Sequence, residues 1–159
     1  ESGDDSGQAV PIESVGNSSA DFSANPARPE DKDLSERLDV IMQSGLREYR
    51  EGNYFRAMNE FNLALILSPN NARASFYLNK TKQGLDEEIE SEFLKAKRDV
   101  ESLKYQSAVI SYCAIVRLLS NYPEDSRYKD AMANIAEVEK MMGIAANEIK
   151  CLPTEQVAE

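Results

Sequence analysis

One unbroken hydrophobic pattern in the middle of the chain limits what it can fold into. Small and apolar residues recur there at every third or fourth position, and the phase never resets. They are Ala74, Leu78, Thr81, Leu85, Ile89, Phe93, Ala96, Val100 and Leu103. Because this spacing is close to the helical period, it predicts one helix over residues 72–103, roughly 45 Å long at about 1.5 Å per residue. A break at Gly84, with Asp86 as the N-cap of a second helix, is the alternative.

Two shorter periodic segments precede this helix. The first runs from Leu34 to Tyr49 and is followed by the turn signal Gly52-Asn53. The second runs from Tyr54 to Leu65 and ends at residues 68–71, Ser-Pro-Asn-Asn, because proline cannot continue a helix. Helices joined by so short a turn pack antiparallel.

Two further periodic segments follow it. One covers residues 105–119 and closes at Asn121-Tyr122-Pro123. The other covers residues 128–142 and stops at Gly143, a typical C-terminal helix signal, with a short helix over residues 144–150 as a weaker prediction. The predicted fold class is therefore all-α, without a sheet.

The two ends of the chain differ in composition from this periodic region. Residues 1–33 are rich in Ser, Asp, Gly, Pro and Ala and show no apolar period, which predicts a flexible linker or tail. Residues 34–142 form the predicted helical domain, and residues 143–159 a C-terminal tail. Since the first residue is Glu rather than Met, we expect a processed product or a part of a longer chain.

Charge narrows the class of partner. The formal net charge is −10, and the phosphate backbone of a nucleic acid would be repelled by it, so neutral or basic protein surfaces are the better expectation. The chain also lacks a run of about 18 apolar residues, so no membrane insertion is expected in this segment.

Several residue patterns that enzymes use for catalysis are missing from the chain. The chain has no His, which excludes the Ser-His-Asp and Cys-His arrangements, and its two Cys cannot complete a zinc shell. No phosphate-binding Gly loop occurs, and the acidic run from Asp86 to Glu90 is typical of a solvated helix face. We therefore expect no catalytic residue, no metal and no cofactor: the chain is not predicted to be an enzyme.

The two cysteines lie far apart in the pattern. Cys113 falls in a helical segment and Cys151 in the C-terminal tail, which favours free thiols over a disulfide. Free thiols are compatible with a reducing compartment. The compartment stays open, with the cytoplasm slightly favoured and the periplasm an alternative if a signal or membrane anchor precedes Glu1.

Residues 38–71 resemble a tetratricopeptide repeat, a 34-residue helix-turn-helix unit. Small residues, turn residues and aromatic residues occur at its usual positions: Gly45, Gly52, Tyr54, Ala57, Phe61, Ala64 and Pro69. A looser second unit follows the same template with Ala96, Tyr105, Ala108, Tyr112 and Pro123. Its ending is similar to the variant found in bacterial envelope and secretion-associated repeat proteins. The resemblance implies an α-solenoid of antiparallel helix pairs with one long helix and a C-terminal capping helix.

This resemblance also implies a function. Tetratricopeptide repeats are non-catalytic scaffolds that bind a protein or peptide along a groove formed by the first helix of each unit. The matching groove residues are Met42, Gln43, Leu46, Tyr49, Arg50, Arg73, Phe76, Tyr77, Lys80 and Lys97. Met42 and Leu46 replace two residues of the family's clamp for chaperone tails, so that partner is not expected. The alternative is a structural subunit that self-associates in an envelope, secretion or motility machine.

Overall fold

The computed structural model describes residues 28–151, and these residues form five α-helices without a strand. The all-α prediction is therefore confirmed for this part of the chain. In chain order the helices are α1 (Pro29–Arg50), α2 (Tyr54–Leu67), α3 (Ala72–Glu101), α4 (Tyr105–Leu118) and α5 (Ser126–Met142). Short turns reverse the chain between them, and each helix packs mainly on its neighbours in sequence.

The long helix predicted from the central pattern exists as one element. α3 contains 30 residues and continues through Gly84. Its N-terminus is capped by Asn71, whose side chain accepts a hydrogen bond from the backbone N–H of Ala74 at 3.0 Å. The alternative break at Gly84 is wrong, because the backbone stays helical through this residue. A Cβ atom there would lie 3.1 Å from Cε1 of Tyr54, a close contact.

α1 begins earlier than the sequence pattern predicts. Its first residue is Pro29, with Glu30 and Asp31 in the first turn. Proline fits the first turn of a helix because no hydrogen bond is lost there, and carboxylates are favoured at the positive end of the helix dipole. Residues 29–33 are thus helical rather than linker, and residues 1–27 of the predicted linker lie outside the described residues.

The buried residues form two clusters that share the long helix. The first cluster lies between α1, α2 and the first half of α3, and contains Met42, Ala57, Phe61, Ala64, Ala74 and Leu78. The second lies between α3, α4 and α5, and is built around Leu85, Ile89, Ala96, Ala108, Tyr112, Ile115, Val116, Leu119, Ala131, Ile135 and Val138. Met58 of α2 packs against both clusters, which joins them into one body.

The residues on which the repeat resemblance depends lie either in the interior or at turns and helix starts. Gly45, Ala57, Phe61, Ala64, Ala96, Ala108 and Tyr112 are all buried. Gly52 has φ +78°, a left-handed conformation that favours glycine, in the turn between α1 and α2. Tyr54 and Tyr105 are half-buried at the starts of α2 and α4, and Pro69 and Pro123 are exposed in turns.

The end of the described chain differs from prediction in two ways. α5 stops at Gly143, with φ +71° as expected, but residues 144–150 are not helical and contain one turn, at Ala146 and Asn147. Cys113 and Cys151 are joined in a disulfide, with their Cα atoms 4.8 Å apart, so the prediction of free thiols is wrong. The chain returns along α4 after α5 and brings the two cysteines together, which sequence separation alone does not reveal. Residues 152–159 of the predicted tail lie outside the described part.

Candidate partner-binding surface

Four of the predicted groove residues form a continuous row on the first half of α3. Arg73, Phe76, Tyr77 and Lys80 follow one another at helical spacing and lie on one face, which we call the α3 row. Phe76 is 54% exposed, and its ring meets that of Tyr77 edge-to-face with centroids 5.2 Å apart. Arg73 and Lys80 flank the pair, since the Arg73 Cζ lies 5.9 Å from the Tyr77 ring centre and the Lys80 Nζ 5.9 Å from that of Phe76.

Tyr77 differs from Phe76 because it is also part of the interior. It is half-buried, packs against the first cluster, and stacks on Phe61 with ring centroids 5.8 Å apart. Tyr49 of α1 is half-buried against the same cluster. Both predicted groove tyrosines are therefore partly occupied by core contacts. Phe76 is the aromatic ring of the row that is open to a partner.

α1 contributes less to this surface than the resemblance implies. Met42 is only 3% exposed and belongs to the first cluster, so it cannot line a groove, and Leu46 is half-buried against that cluster. Gln43 and Arg50 are exposed. Arg50 donates from its Nε to the carbonyl oxygen of Leu46 at 3.2 Å, which holds its side chain along the helix.

A groove of about 560 Å³ lies near the middle of α3. It lies where the turn between α1 and α2 faces the long helix. Its walls are formed by Tyr49, Tyr54, Gly84, Glu87, Glu88, Ser91 and Glu92. The Tyr54 hydroxyl donates to Glu88 Oε2 at 2.6 Å. Burial, followed by this hydrogen bond and the charge of Glu88, raises the pKa of Tyr54 to about 12, so the phenol is neutral at physiological pH.

Lys97 is separated from the other predicted groove residues. It lies beside a hollow of about 400 Å³ on another side of α3, lined by Asp86, Ile89, Glu90, Phe93, Leu94, Lys97 and Arg127. Arg127 of α5 pairs with Asp86 at 2.8 Å and with Asp125 at 3.0 Å. Its guanidinium lowers the pKa of the Asp125 carboxyl, mainly by hydrogen bonding. The predicted single groove is thus two surfaces on α3.

Sequence reasoning missed one group of residues. Glu139 is a buried carboxylate that accepts hydrogen bonds from the backbone N–H groups of Glu148 and Ile149, and Arg117 donates to the carbonyl oxygen of Cys151. The only signal for them in the sequence is the pair of cysteines.

The comparisons with known proteins add no further constraint on function. No family model, curated protein or solved structure matches the chain. Among residues 28–151, no helix is long and apolar enough to cross a membrane, and no group of His, Cys, Asp and Glu side chains could hold a metal. Any proposal for this chain therefore depends on the residues themselves.

Proposed function

We propose that this chain is a non-catalytic protein-interaction module, built like tetratricopeptide repeats, that binds a peptide or protein along α3. The observation that carries the proposal is the α3 row, in which Phe76 is exposed between two cations while its neighbour Tyr77 is held in place by the core. Aromatic and Arg side chains dominate binding energies at interfaces because they bury a large area on a preorganised support. A rigid helix supplies that support here.

Several contacts support the repeat-like arrangement within this proposal. Gly45 gives α1 a close approach to Phe61 of α2, and Ala57 and Ala64 are fully buried. Gly52 provides the left-handed turn residue between the two helices. These are the roles that the resemblance assigns to those positions.

Charge along α3 indicates how a partner would lie on it. The α3 row carries Arg73 and Lys80, whereas the groove that follows carries Glu87, Glu88 and Glu92. An extended segment with acidic residues toward the start of α3 and basic residues toward its middle would meet opposite charge at both ends. Such complementarity sets orientation and association rate more than affinity.

The test begins with a partner captured from the source cell and then purified. Its dissociation constant is measured by titration calorimetry for the wild type, for Phe76→Ala and for the control Ile66→Ala. Ile66 is 74% exposed on α2, so its truncation removes a similar apolar side chain from another face. We expect binding about 30-fold weaker for Phe76→Ala, equivalent to about 2 kcal/mol, and unchanged for Ile66→Ala. Unchanged binding by folded Phe76→Ala would refute the α3 row as the site.

A structural, self-associating subunit is the second candidate. Apolar side chains stand exposed on the outer faces of α2 and α4, among them Leu63, Ile66 and Ile110. Paired copies would cover such residues. Sedimentation that shows a concentration-dependent dimer, abolished by Ile66→Asp, would favour this function over the first. A monomer at all concentrations would exclude it.

A further inference from the structure

The last described residues form a strap that is fixed at three points. Residues 144–151, which we call the C-terminal strap, follow Gly143 and return along α4 and α5. The Cys113–Cys151 disulfide joins the end of the strap to α4. The Arg117 Nη1 donates to the carbonyl oxygen of Cys151 at 3.0 Å. The Glu139 Oε2 accepts from the backbone N–H groups of Glu148 at 2.8 Å and Ile149 at 3.2 Å.

Glu139 and the strap depend on each other. The Glu139 side chain is 3% exposed, and a buried carboxylate is costly unless donors satisfy it. Among the described residues, the two strap N–H groups supply its hydrogen bonds. If the strap moves away, this carboxylate loses both donors and has to be hydrated instead.

The strap also completes the apolar interior. Ile149 and Cys151 pack against the second cluster. Together with neighbouring strap residues they form one wall of a cavity of about 260 Å³ whose other walls come from Val116, Tyr128, Met132 and Ile135. Departure of the strap would open Val116 and Ile135, which are buried, to solvent.

We propose that the Cys113–Cys151 disulfide is a redox lock on the C-terminal strap, and that its reduction releases the strap and uncovers the apolar surface between α4 and α5. The other two anchors are hydrogen bonds, which water can replace once the strap is free to move. The disulfide persists in an oxidising compartment, where it holds the strap, and is reduced in a reducing one, where the strap is released. The oxidised form, with the strap held in place, is therefore the one expected in an oxidising compartment.

The chemistry of release is a thiol–disulfide exchange with a dithiol. Cys113 is 5% exposed, whereas Cys151 is half-buried at the end of the strap, so attack occurs on the Sγ of Cys151. The attacking thiolate forms a mixed disulfide with Cys151, and Cys113 leaves as the thiolate. The second thiol of the reductant then displaces Cys151. Both cysteines end as thiols, each having gained one hydrogen, and the reductant ends as a disulfide.

Amide hydrogen exchange of the full chain, before and after treatment with dithiothreitol, tests the lock. Intact mass first verifies that the untreated protein is lighter than the reduced protein by two hydrogens. We expect the amides of Glu148 and Ile149 to exchange at least about 10-fold faster after reduction, and equally fast in Cys151→Ser without reductant. The amides of Ala57 and Phe61, in the first cluster, should keep their protection.

One control distinguishes a redox lock from a strap that hydrogen bonds alone hold in place. Oxidised Glu139→Gln keeps the disulfide, so the exchange of residues 148–149 should stay well below that of Cys151→Ser. Exchange that is unchanged by reduction and by Cys151→Ser would overturn the proposal, since the hydrogen bonds would then suffice to fix the strap. Loss of protection at Ala57 and Phe61 on reduction would overturn it as well, because the disulfide would then stabilise the whole domain.

Discussion

Gly45 of α1 lies so close to Phe61 of α2 that a Cβ atom on residue 45 would be 2.6 Å from the Phe61 Cε1 atom. The Phe61 ring has little room to move away, because it is fully buried and stacks on Tyr77. This contact therefore sets the distance between the first two helices. It also explains why α1 has a glycine in a region where alanine would form a better helix.

Gly45→Ala should destabilise the protein by about 1–3 kcal/mol. Alanine gains up to about 1 kcal/mol of helix propensity, but the overlap with Phe61 must be relieved by shifting α1 or the ring, which costs more in a packed core. Urea unfolding followed by circular dichroism measures the difference.

Gly84→Ala is the matched control for that variant. Its Cβ atom would lie 3.1 Å from Cε1 of the half-buried Tyr54, which can shift by a few tenths of an ångström. The helix propensity gained in the middle of α3 then offsets the adjustment, so we expect a free energy of unfolding within about 0.5 kcal/mol of wild type. Equal losses for the two variants would contradict the close α1–α2 contact.

The ionisation of Tyr54 should lower the free energy of unfolding at alkaline pH. Its pKa is about 12 in the folded protein against 10.0 in the unfolded chain, so the folded state keeps a proton that the unfolded state releases. The neutral Tyr54 phenol therefore contributes its full share to the stability of the fold below pH 10, and this share is lost as the pH rises to 12. Tyr54→Phe removes this ionisation, and its melting temperature should therefore fall less than that of wild type over this window. Parallel dependence of the two melting temperatures on pH would show that folding does not raise the pKa of this phenol.

The sequence predicts the helices well where burial is regular along the chain. The period through Ala74, Leu85 and Ala96 is continuous because one face of α3 is buried over its whole length, first by α2 and then by α4. Gly143 ends α5 through a left-handed conformation that does not depend on the rest of the fold. The first turn of α1 is missed because Pro29 to Asp33 are exposed and carry no apolar signal.

The candidate surface is harder to predict, since it depends on which helices touch. Spacing correctly places Arg73, Phe76 and Lys80 on one exposed face. It cannot reveal that Met42 is buried and Tyr77 half-buried once α1, α2 and α3 pack together, or that Lys97 lies on another side. The pairing of Cys113 with Cys151 requires the return of the chain after α5, for which the sequence has no periodic signal.

Glu139→Ala should destabilise the protein by about 1–3 kcal/mol, because the strap N–H groups of residues 148 and 149 lose a charged acceptor inside the fold. Glu137→Ala is the control on the same helix. The Glu137 carboxylate is exposed and pairs with Lys140 at 3.1 Å, an interaction worth at most about 0.5 kcal/mol at a surface. Both changes replace Glu by Ala in α5, so helix propensity cancels in the comparison. Similar unfolding midpoints in urea would mean that the buried carboxylate does not hold the strap.

Phe76→Ala and Tyr77→Ala should separate binding from folding, although the two rings touch. Phe76 is exposed and Tyr77 is half-buried against Phe61. Truncation of Phe76 removes a side chain that is more than half exposed, so the free energy of unfolding should stay within about 0.5 kcal/mol of wild type. Truncation of Tyr77 leaves a void beside Phe61 and removes a stacked aromatic pair, which should cost about 2–4 kcal/mol of stability.

Thermal unfolding and partner binding of the two variants together show which ring of the α3 row serves binding and which serves the fold. A stable Tyr77→Ala protein would show that the Phe61 contact does not anchor the α3 row, and the rigid support invoked for binding would then have to come from α3 alone.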